Sequence, residues 1–248
     1  MTSREATGLL PRSHGEQGGE IATSLSDWAH IIAFGAIGWP WLLRSLSGGR
    51  KRDKRALLDR LGLPHDALPN LGSWKADTAL LGLIVDSVER LQPRVVIELG
   101  AGASTLVTAR ALQLNGGGRL ISFDQHRDFV DSTRGWLGDY GLEADMRAAA
   151  LVPAPGGWPG YWYDIGALPD AIDMLIIDGP PWAIHPYVRG AAECLFDRIV
   201  PGGMILLDDG ARPGERIVMR RWRKNWPDFD FHLRHGGTKG TVIGIRRG

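Results

Sequence analysis

The chain has 248 residues, of which 29 are Lys or Arg and 28 are Asp or Glu, so its formal net charge is +1. This balance, with no basic patch interleaved with aromatic residues, excludes nucleic acid as the default partner. The single cysteine excludes an internal disulfide and suits a reducing, cytoplasmic compartment, and the length accommodates one domain of about 170 residues with an N-terminal extension.

The first 71 residues differ in composition from the rest of the chain. Residues 1–24 are polar, rich in glycine and serine and without hydrophobic period, which predicts a disordered tail and not a signal peptide. Residues 25–71 are expected to form a helical extension. Within it, residues 28–43 are apolar and contain three tryptophans. This stretch is shorter than the roughly twenty residues of a membrane span, and Pro40 is expected to break a helix there.

Three roles remain open for this extension. It can pack on its own domain or on a second subunit of a homo-oligomer, lie on a membrane surface, or span a membrane; packing is the leading alternative. The tryptophans and the basic run 50–55 suit peripheral contact of residues 28–55 with the anionic inner face of a membrane. Two helices are predicted to follow, over residues 54–63 and from residue 73 to about residue 91, and the main domain is expected to cover residues 72–248.

A glycine turn between a strand and a helix is the most informative feature of the chain. An apolar run of strand length ends just after Glu98, and Gly100 and Gly102 precede a helix predicted over residues 105–114. This arrangement lets a nucleotide-like cofactor lie against backbone amides at a helix N-terminus, and glycines keep side chains out of a sharp turn. A dinucleotide site requires a third glycine at a position that Thr105 occupies here.

Acidic residues end three further apolar runs. Asp124 closes a short strand about two dozen residues after the first glycine, Asp178 closes another, and Asp208 and Asp209 close a third. Near-continuous Ile, Leu and Val strands separated by helical segments indicate a parallel sheet covered on both faces. Ligands of such sheets collect at the carboxyl ends of the strands, so these acids should face one crevice.

The pattern E-x-G-x-G-x-S of residues 98–104 resembles the first motif of class I S-adenosylmethionine (SAM)-dependent methyltransferases. The resemblance covers about residues 72–245 and implies a Rossmann-like α/β fold, with a seven-stranded, mostly parallel sheet and helices on both faces. Two last strands, 229–234 and 241–246, flank a glycine-rich turn and predict a hairpin with one antiparallel strand. The cofactor-binding residues implied by the resemblance are Glu98, Gly100, Ala101, Gly102, Ser104, Asp124, which would accept the ribose hydroxyls, and Asp178.

The sequences D-G-P-P at residues 178–181 and G-G-x-I-L-L-D-D at residues 202–209 resemble the metal-dependent small-molecule O-methyltransferases, a group that includes catechol, caffeoyl-coenzyme-A and macrolide-sugar types. The resemblance implies Mg²⁺ bound by Asp178, Asp208 and Asp209, and O-methylation of a hydroxylated small molecule such as a sugar, a glycan or a polyketide. Mg²⁺ prefers carboxylate oxygens and lowers the pKa of a bound hydroxyl. The alternative is that the acids only end a strand and cap the next helix.

The general base and two alternative functions remain open. Asp178 can take the acceptor's proton, and so can His185 in the loop after the D-G-P-P sequence, although a solvent-exposed loop histidine is an equal interpretation. Lys239 lies in the late glycine-rich turn, where a plain hairpin lysine is the favoured interpretation. The chain can also be a metal-independent O- or N-methyltransferase, or a non-catalytic scaffold that docks a partner or membrane. The intact glycine turn argues against a scaffold.

Overall fold

The computed structural model describes residues 25–73 and 75–248, so the predicted tail of residues 1–24 lies outside the described residues. The α-helices of the described part are α1 (Leu25–Ser45), α2 (Lys51–Leu61), α3 (Thr78–Leu91), α4 (Ala103–Leu114), α5 (Arg127–Gly138) and α6 (Pro213–Asn225), and a 3₁₀ helix covers Val188–Arg198. The strands are β1 (Val95–Leu99), β2 (Arg119–Asp124), β3 (Asp145–Ala148), β4 (Leu151–Pro153), β5 (Tyr161–Tyr163), β6 (Ile172–Ile177), β7 (Ile199–Leu207), β8 (Phe229–Arg234) and β9 (Thr241–Arg246).

Seven of these strands form one sheet in the order β3-β2-β1-β6-β7-β9-β8, and β4 pairs with β5 in a separate two-stranded sheet. The first five strands of the large sheet pair in parallel. Strand β9 is antiparallel to both of its neighbours, β7 and β8. The predicted fold class, including the C-terminal hairpin with its one antiparallel strand, is therefore confirmed.

Alternate residues of the central strands pack into two hydrophobic clusters, one on each face of the sheet. Val96 and Ile176 pack with residues of α2, α3, α4 and α5, whereas Ile97 and Ile177 pack with residues of the 3₁₀ helix and α6. Successive side chains of a strand point to opposite faces, so a strand covered on both sides must be apolar throughout. This requirement explains the near-continuous apolar runs of the sequence.

The prediction that Pro40 breaks the first helix is wrong, because α1 continues through it to Ser45. Proline has no amide hydrogen, so inside a helix it leaves the carbonyl of the residue four positions earlier without its hydrogen bond. Here that residue is Ala36, and both Ala36 and Pro40 lie on the exposed side of α1, where water can bond to the freed carbonyl.

The predicted starts of the next two helices are also wrong. The basic run lies inside a helix, since α2 begins at Lys51 and not at residue 54. Helix α3 begins at Thr78 and not at residue 73, because the Asp77 side chain accepts hydrogen bonds from the amides of Ala79 and Leu80 and thus forms the N-cap.

The two helices of the extension contact the domain differently. Helix α2 contributes Leu57, Leu58 and Leu61 to the hydrophobic cluster that α3 and α4 share. Helix α1 leaves most of its large apolar side chains exposed. No helix within residues 25–73 and 75–248 is long and apolar enough to cross a membrane. The predicted division at residue 72 stays a prediction.

Candidate functional site

The acids that the sequence places at strand ends lie at one edge of the sheet. The amide of Asp178 donates to the carbonyl of Leu99 at 2.8 Å, and the amide of Asp208 donates to the carbonyl of Ile177 at 2.9 Å. These bonds join the residues that follow β6 and β7 to the ends of neighbouring strands. Asp124 ends β2 on the other side of β1. The loops after four parallel strands therefore meet at the edge of the sheet where the sequence predicts the crevice.

The two glycines of the turn are required for different reasons. Gly100 has φ +98°, and a Cβ built on it would lie 2.7 Å from the amide nitrogen of Gly179 and 2.9 Å from the carbonyl carbon of Asp178. This glycine therefore permits two loops to pack closely. Gly102 has φ +151°, and its Cβ would meet only the ring of Phe129 at 3.9 Å. The space beside Gly102, at the N-terminus of α4, is where the sequence predicts the cofactor.

Glu98 stabilises this turn through hydrogen bonds. It is fully buried, and its Oε2 accepts hydrogen bonds from the hydroxyls of Thr105 at 2.5 Å and Ser122 at 2.6 Å. The Thr105 hydroxyl in turn accepts a bond from the amide of Gly102 at 2.8 Å. Burial raises the pKa of Glu98, and the Ser122, Thr105 and Ser104 hydroxyls oppose that rise. Thr105, which stands where a dinucleotide site has its third glycine, thus links the glycine turn to Glu98.

Asp124 lies where the sequence predicts the ribose-binding acid. It is 8% exposed, and its Oδ1 accepts a hydrogen bond from the amide of His126 at 2.9 Å. Burial raises the pKa of this carboxyl to about 7, although backbone amides, including that of Ala101, favour its charged form. The carboxylate is thus held with little solvent at the end of β2, and its contact with a cofactor ribose stays a prediction.

Several buried polar atoms around the turn have no hydrogen-bond partner among the described residues, which suits a polar cofactor such as SAM. They are Glu98 Oε1, Gln125 Oε1 and the hydroxyl of Tyr163. In the sequence, packing is the favoured interpretation of the aromatic run that contains Tyr163, over lining the crevice. Burial raises its pKa well above the usual value, and the charges of Asp124, Asp178 and Glu98 act in the same direction. Its hydroxyl lies against Gly179 in the loop after β6, where a Cβ on that glycine would clash with it.

Asp178, Asp208 and Asp209 form the predicted acid trio. One carboxylate oxygen from each lies within 4.8 Å of the others. Asp208 Oδ1 and Asp209 Oδ1 are buried and receive no hydrogen bond from any residue that the structure describes. Asp209 has φ +59°, an uncommon conformation for a residue other than glycine. This strained backbone is a feature that often accompanies functional sites.

Three basic side chains surround the trio. Lys239 Nζ lies 3.0 Å from Asp208 Oδ2 and 3.6 Å from Asp209 Oδ1. Arg189 donates to Asp209 Oδ2 at 2.9 Å and to the carbonyl of Asp178 at 2.6 Å. Arg212 also lies 2.9 Å from Asp209 Oδ2. The favoured interpretation of Lys239 as a plain hairpin lysine is therefore wrong, and the role of Arg189 had no signal in the sequence beyond its charge.

The pKa values of the acids in this cluster are shifted in different directions. Burial, followed by the charge of Asp208, raises the pKa of Asp178 well above its usual value. Burial also acts to raise the pKa of Asp209, but Arg212, Lys239 and Arg189 together hold it below the usual range. Burial raises the pKa of the nearby Glu215 to about 7. Three cations thus lie among the four acids of this cluster, of which Asp208, Asp209 and Glu215 are buried.

His185 is not the exposed loop histidine that the sequence allowed. It is 1% exposed, and its ring contacts those of His30 on α1 and Tyr187, with centroids 5.5 and 5.0 Å apart. Its Nδ1 accepts a hydrogen bond from the Tyr187 amide at 3.1 Å, and its Nε2 lies 3.9 Å from Asp27 Oδ1. Burial lowers the pKa of His185 to about 4, which makes it a weak proton acceptor at neutral pH.

Comparison with known proteins agrees with this geometry. Residues 97–210 match a family model described as a methyltransferase domain. The chain is similar to a crystal structure of a methyltransferase from Geobacter sulfurreducens, with 20% identity and a TM-score of 0.52 over 79% of this chain and 86% of that one. No curated protein matches the chain in sequence.

Two O-methyltransferase structures have the same fold. The first is TomG from Streptomyces achromogenes, involved in tomaymycin synthesis and solved in complex with SAM; it has 17% identity and a TM-score of 0.50 over 80% of this chain and 89% of that one. The second is from Bacillus cereus in complex with S-adenosylhomocysteine (SAH), with 15% identity and a TM-score of 0.54 over 88% of this chain and 100% of that one. The family match contains the glycine turn and all the strand-end acids, and the sheet around them has the fold of these structures, so the chain contains a methyltransferase domain with the class I SAM-dependent fold.

Proposed function

We propose that this methyltransferase transfers the methyl group to a hydroxyl oxygen of a small molecule bound beside Asp178, Asp208 and Asp209. The observation that carries the proposal is the meeting of the half-buried Asp178 carboxylate with the buried carboxylates of Asp208 and Asp209 within 4.8 Å, next to the loop that packs on Gly100. An acceptor held by the trio would lie close to a cofactor bound at the glycine turn. The methyl sulfonium needs no activation, so the protein mainly has to align the acceptor oxygen with it.

The chemistry of the trio suits Mg²⁺. Magnesium prefers carboxylate oxygens, and Asp208 and Asp209 each keep one buried oxygen without a hydrogen-bond donor among the described residues. Bound Mg²⁺ would hold the acceptor hydroxyl and lower its pKa. Lys239 and Arg189 contact the other oxygens of the same two carboxylates, and they therefore fix how the unbonded oxygens point.

The remaining residues of the crevice would bind the cofactor, hold the glycine turn in place or exclude water. Glu98 and Thr105 hold the glycine turn through hydrogen bonds, and Asp124 would accept the ribose hydroxyls. Helix α1 covers His185 and Tyr187 on the loop after β6, which limits the access of water from that side. Exclusion of water strengthens the electrostatic interactions inside the site.

Metal-independent methyl transfer is the second candidate, and Lys239 favours it. The ammonium group lies among the carboxylates at 3.0 and 3.6 Å, so the trio has a neutralising cation from the chain itself. In that case Asp178 is the better proton acceptor, because burial lowers the pKa of His185 to about 4. An acceptor hydroxyl or amine would then bind to the carboxylates directly.

Turnover with and without metal separates the two candidates. The purified protein is incubated with SAM and a panel of hydroxylated and amine acceptors, and methylated products are detected by mass spectrometry. We expect EDTA to abolish O-methylation and added Mg²⁺ to restore it, with SAH affinity unchanged by titration calorimetry. The variant Asp208→Asn should lose activity in the same way, whereas Asp170→Asn, on an exposed loop, should not. Full turnover in EDTA would reject the metal, and methylation of amines alone would reject O-methylation.

A further inference from the structure

One side of α1 is a continuous, exposed apolar surface. Its large side chains are between 53% and 90% exposed, and all but Ile37 recur at helical spacing, which is unusual for a surface helix. We call this surface the apolar face of α1; its members are Leu25, Trp28, Ile32, Ile37, Trp39 and Leu43. The polar residues on the same side of the helix are Ser26 and Arg44.

The opposite side of α1 rests on the domain and fixes which side faces outward. The rings of His30 and Phe34 contact that of Tyr187, with centroids 5.9 and 5.1 Å apart. A Cβ on Gly35 would lie 3.6 Å from the ring of Trp182. The acidic residue of α1, Asp27, faces inward near His185. The apolar face therefore carries no acid.

A cluster of exposed cations follows this face directly. The chain passes from Arg44 at the end of α1 to Arg50, Lys51, Arg52 and Arg55, all of which are exposed, with one exposed acid, Asp53, among them. A parallel pair of α1 helices from two copies would bring these cations together. An antiparallel pair would place them opposite the N-terminal half of α1, which offers them no acid on its outer face. The charge pattern thus disfavours a second copy and complements an anionic surface.

We propose that the apolar face of α1 docks the protein on an anionic phospholipid membrane, with the helix parallel to the surface. One side of the helix is occupied by the domain, so only the other side can enter the lipid. Tryptophans at the headgroup level and adjacent Lys or Arg residues are the side chains that stabilise interfacial helices. This proposal does not rest on the proposed function, because it concerns a surface outside the acid trio.

Flotation of the full chain with lipid vesicles tests the apolar face. We expect the protein to float with vesicles of phosphatidylglycerol and phosphatidylcholine and not with phosphatidylcholine alone. The variants Ile32→Glu and Trp39→Glu should reduce the floated fraction at least tenfold while the melting temperature stays unchanged, because both side chains are exposed. The matched control is Leu114→Glu, which changes a leucine of α4 that is 49% exposed and should float like the parent.

The basic cluster provides an independent test. Each basic residue near an anionic bilayer strengthens binding about fivefold at low salt. The triple change of Arg50, Lys51 and Arg52 to Gln should therefore weaken partitioning on the order of 100-fold at low salt, with a much smaller effect at high salt. Equal flotation of Ile32→Glu and the parent would overturn the proposal. So would a protein that does not float but sediments as a dimer that Ile32→Glu dissociates, since the face would then be a subunit interface.

Discussion

The ammonium nitrogen of Lys239 lies 3.0 Å from Oδ2 of Asp208, and each side chain is only 1% exposed. The two residues are 31 positions apart, one in the turn between β8 and β9 and the other directly after β7. A basic side chain from a hairpin turn thus enters the crevice and neutralises an acid that no solvent reaches. The stability of this part of the protein should therefore depend on the pair.

Replacing Lys239 by Met should destabilise the protein by about 3–5 kcal/mol, because it leaves Asp208 buried without its partner. The double variant Lys239→Met, Asp208→Asn should recover most of this loss, since no unpaired charge remains. Urea denaturation of the four proteins of the cycle measures both effects. Lys224→Met, at an exposed position of α6, is the control. Strictly additive losses in the double variant would contradict the coupling.

Asp77 should hold Lys239 in position. Its Oδ2 accepts hydrogen bonds from the amide of Thr238 at 2.7 Å and the amide of Lys239 at 3.3 Å, while its Oδ1 caps α3. Asp77→Asn keeps one acceptor oxygen, so we expect it to lose stability by about 1–2 kcal/mol, and Asp77→Ala to lose more. In the Lys239→Met background the hairpin contribution remains, because both bonds are to backbone amides. If the Asp77 variants lost no stability in the Lys239→Met background, Asp77 would act only through the charge of Lys239.

The two glycines of the turn should respond differently to alanine. Gly100→Ala should be the more destabilising, because the new methyl group meets the backbone of Gly179 at 2.7 Å. Gly102→Ala meets no close atom, so its loss of stability should be limited to backbone strain of about 1–3 kcal/mol. Its methyl group enters the space beside the α4 N-terminus, and SAH affinity should fall at least tenfold. Calorimetric titration of folded Gly102→Ala giving the parent's affinity would place the cofactor elsewhere.

Asp124 should reduce stability at high pH. Its pKa is about 7 in the folded protein, against an ordinary value of 3.8, so ionisation favours the unfolded chain. The unfavourable contribution is absent below about pH 4 and complete above about pH 7, where it amounts to at most roughly 4 kcal/mol.

The variant Asp124→Asn should therefore raise the free energy of unfolding at pH 8, with the difference from the parent disappearing towards pH 4. The same change should weaken SAH binding, because an amide accepts hydrogen bonds from ribose hydroxyls less strongly than a carboxylate does. Thermal melts across this pH range and titration with SAH measure the two effects. If the variant were less stable than the parent at pH 8, the ionised Asp124 carboxylate would be stabilising the folded protein, contrary to this prediction.

Strand positions were predictable to a large extent because strands covered on both faces must be apolar along their whole length. The runs around Ile97, Leu175 and Leu206 show this requirement directly. Helix boundaries were less predictable, since they depend on particular contacts: Asp77 starts α3 through its side chain, and Pro40 is tolerated because it faces water. Neither contact follows from the spacing of apolar residues.

The candidate site divides in the same way. Parallel strands bring their carboxyl ends to one edge, so the sequence by itself placed Gly102, Asp124, Asp178, Asp208 and Asp209 around one crevice. It also predicted the fold class, and the resemblance of its glycine motif to that of the class I methyltransferases implied the cofactor, since both depend on local patterns along the chain. Only the tertiary structure decided what surrounds those acids. Lys239, Arg189 and Tyr163 reach the crevice from a distant turn, a 3₁₀ helix and a small sheet. Such contacts depend on how elements pack together, which periodicity along one segment does not encode.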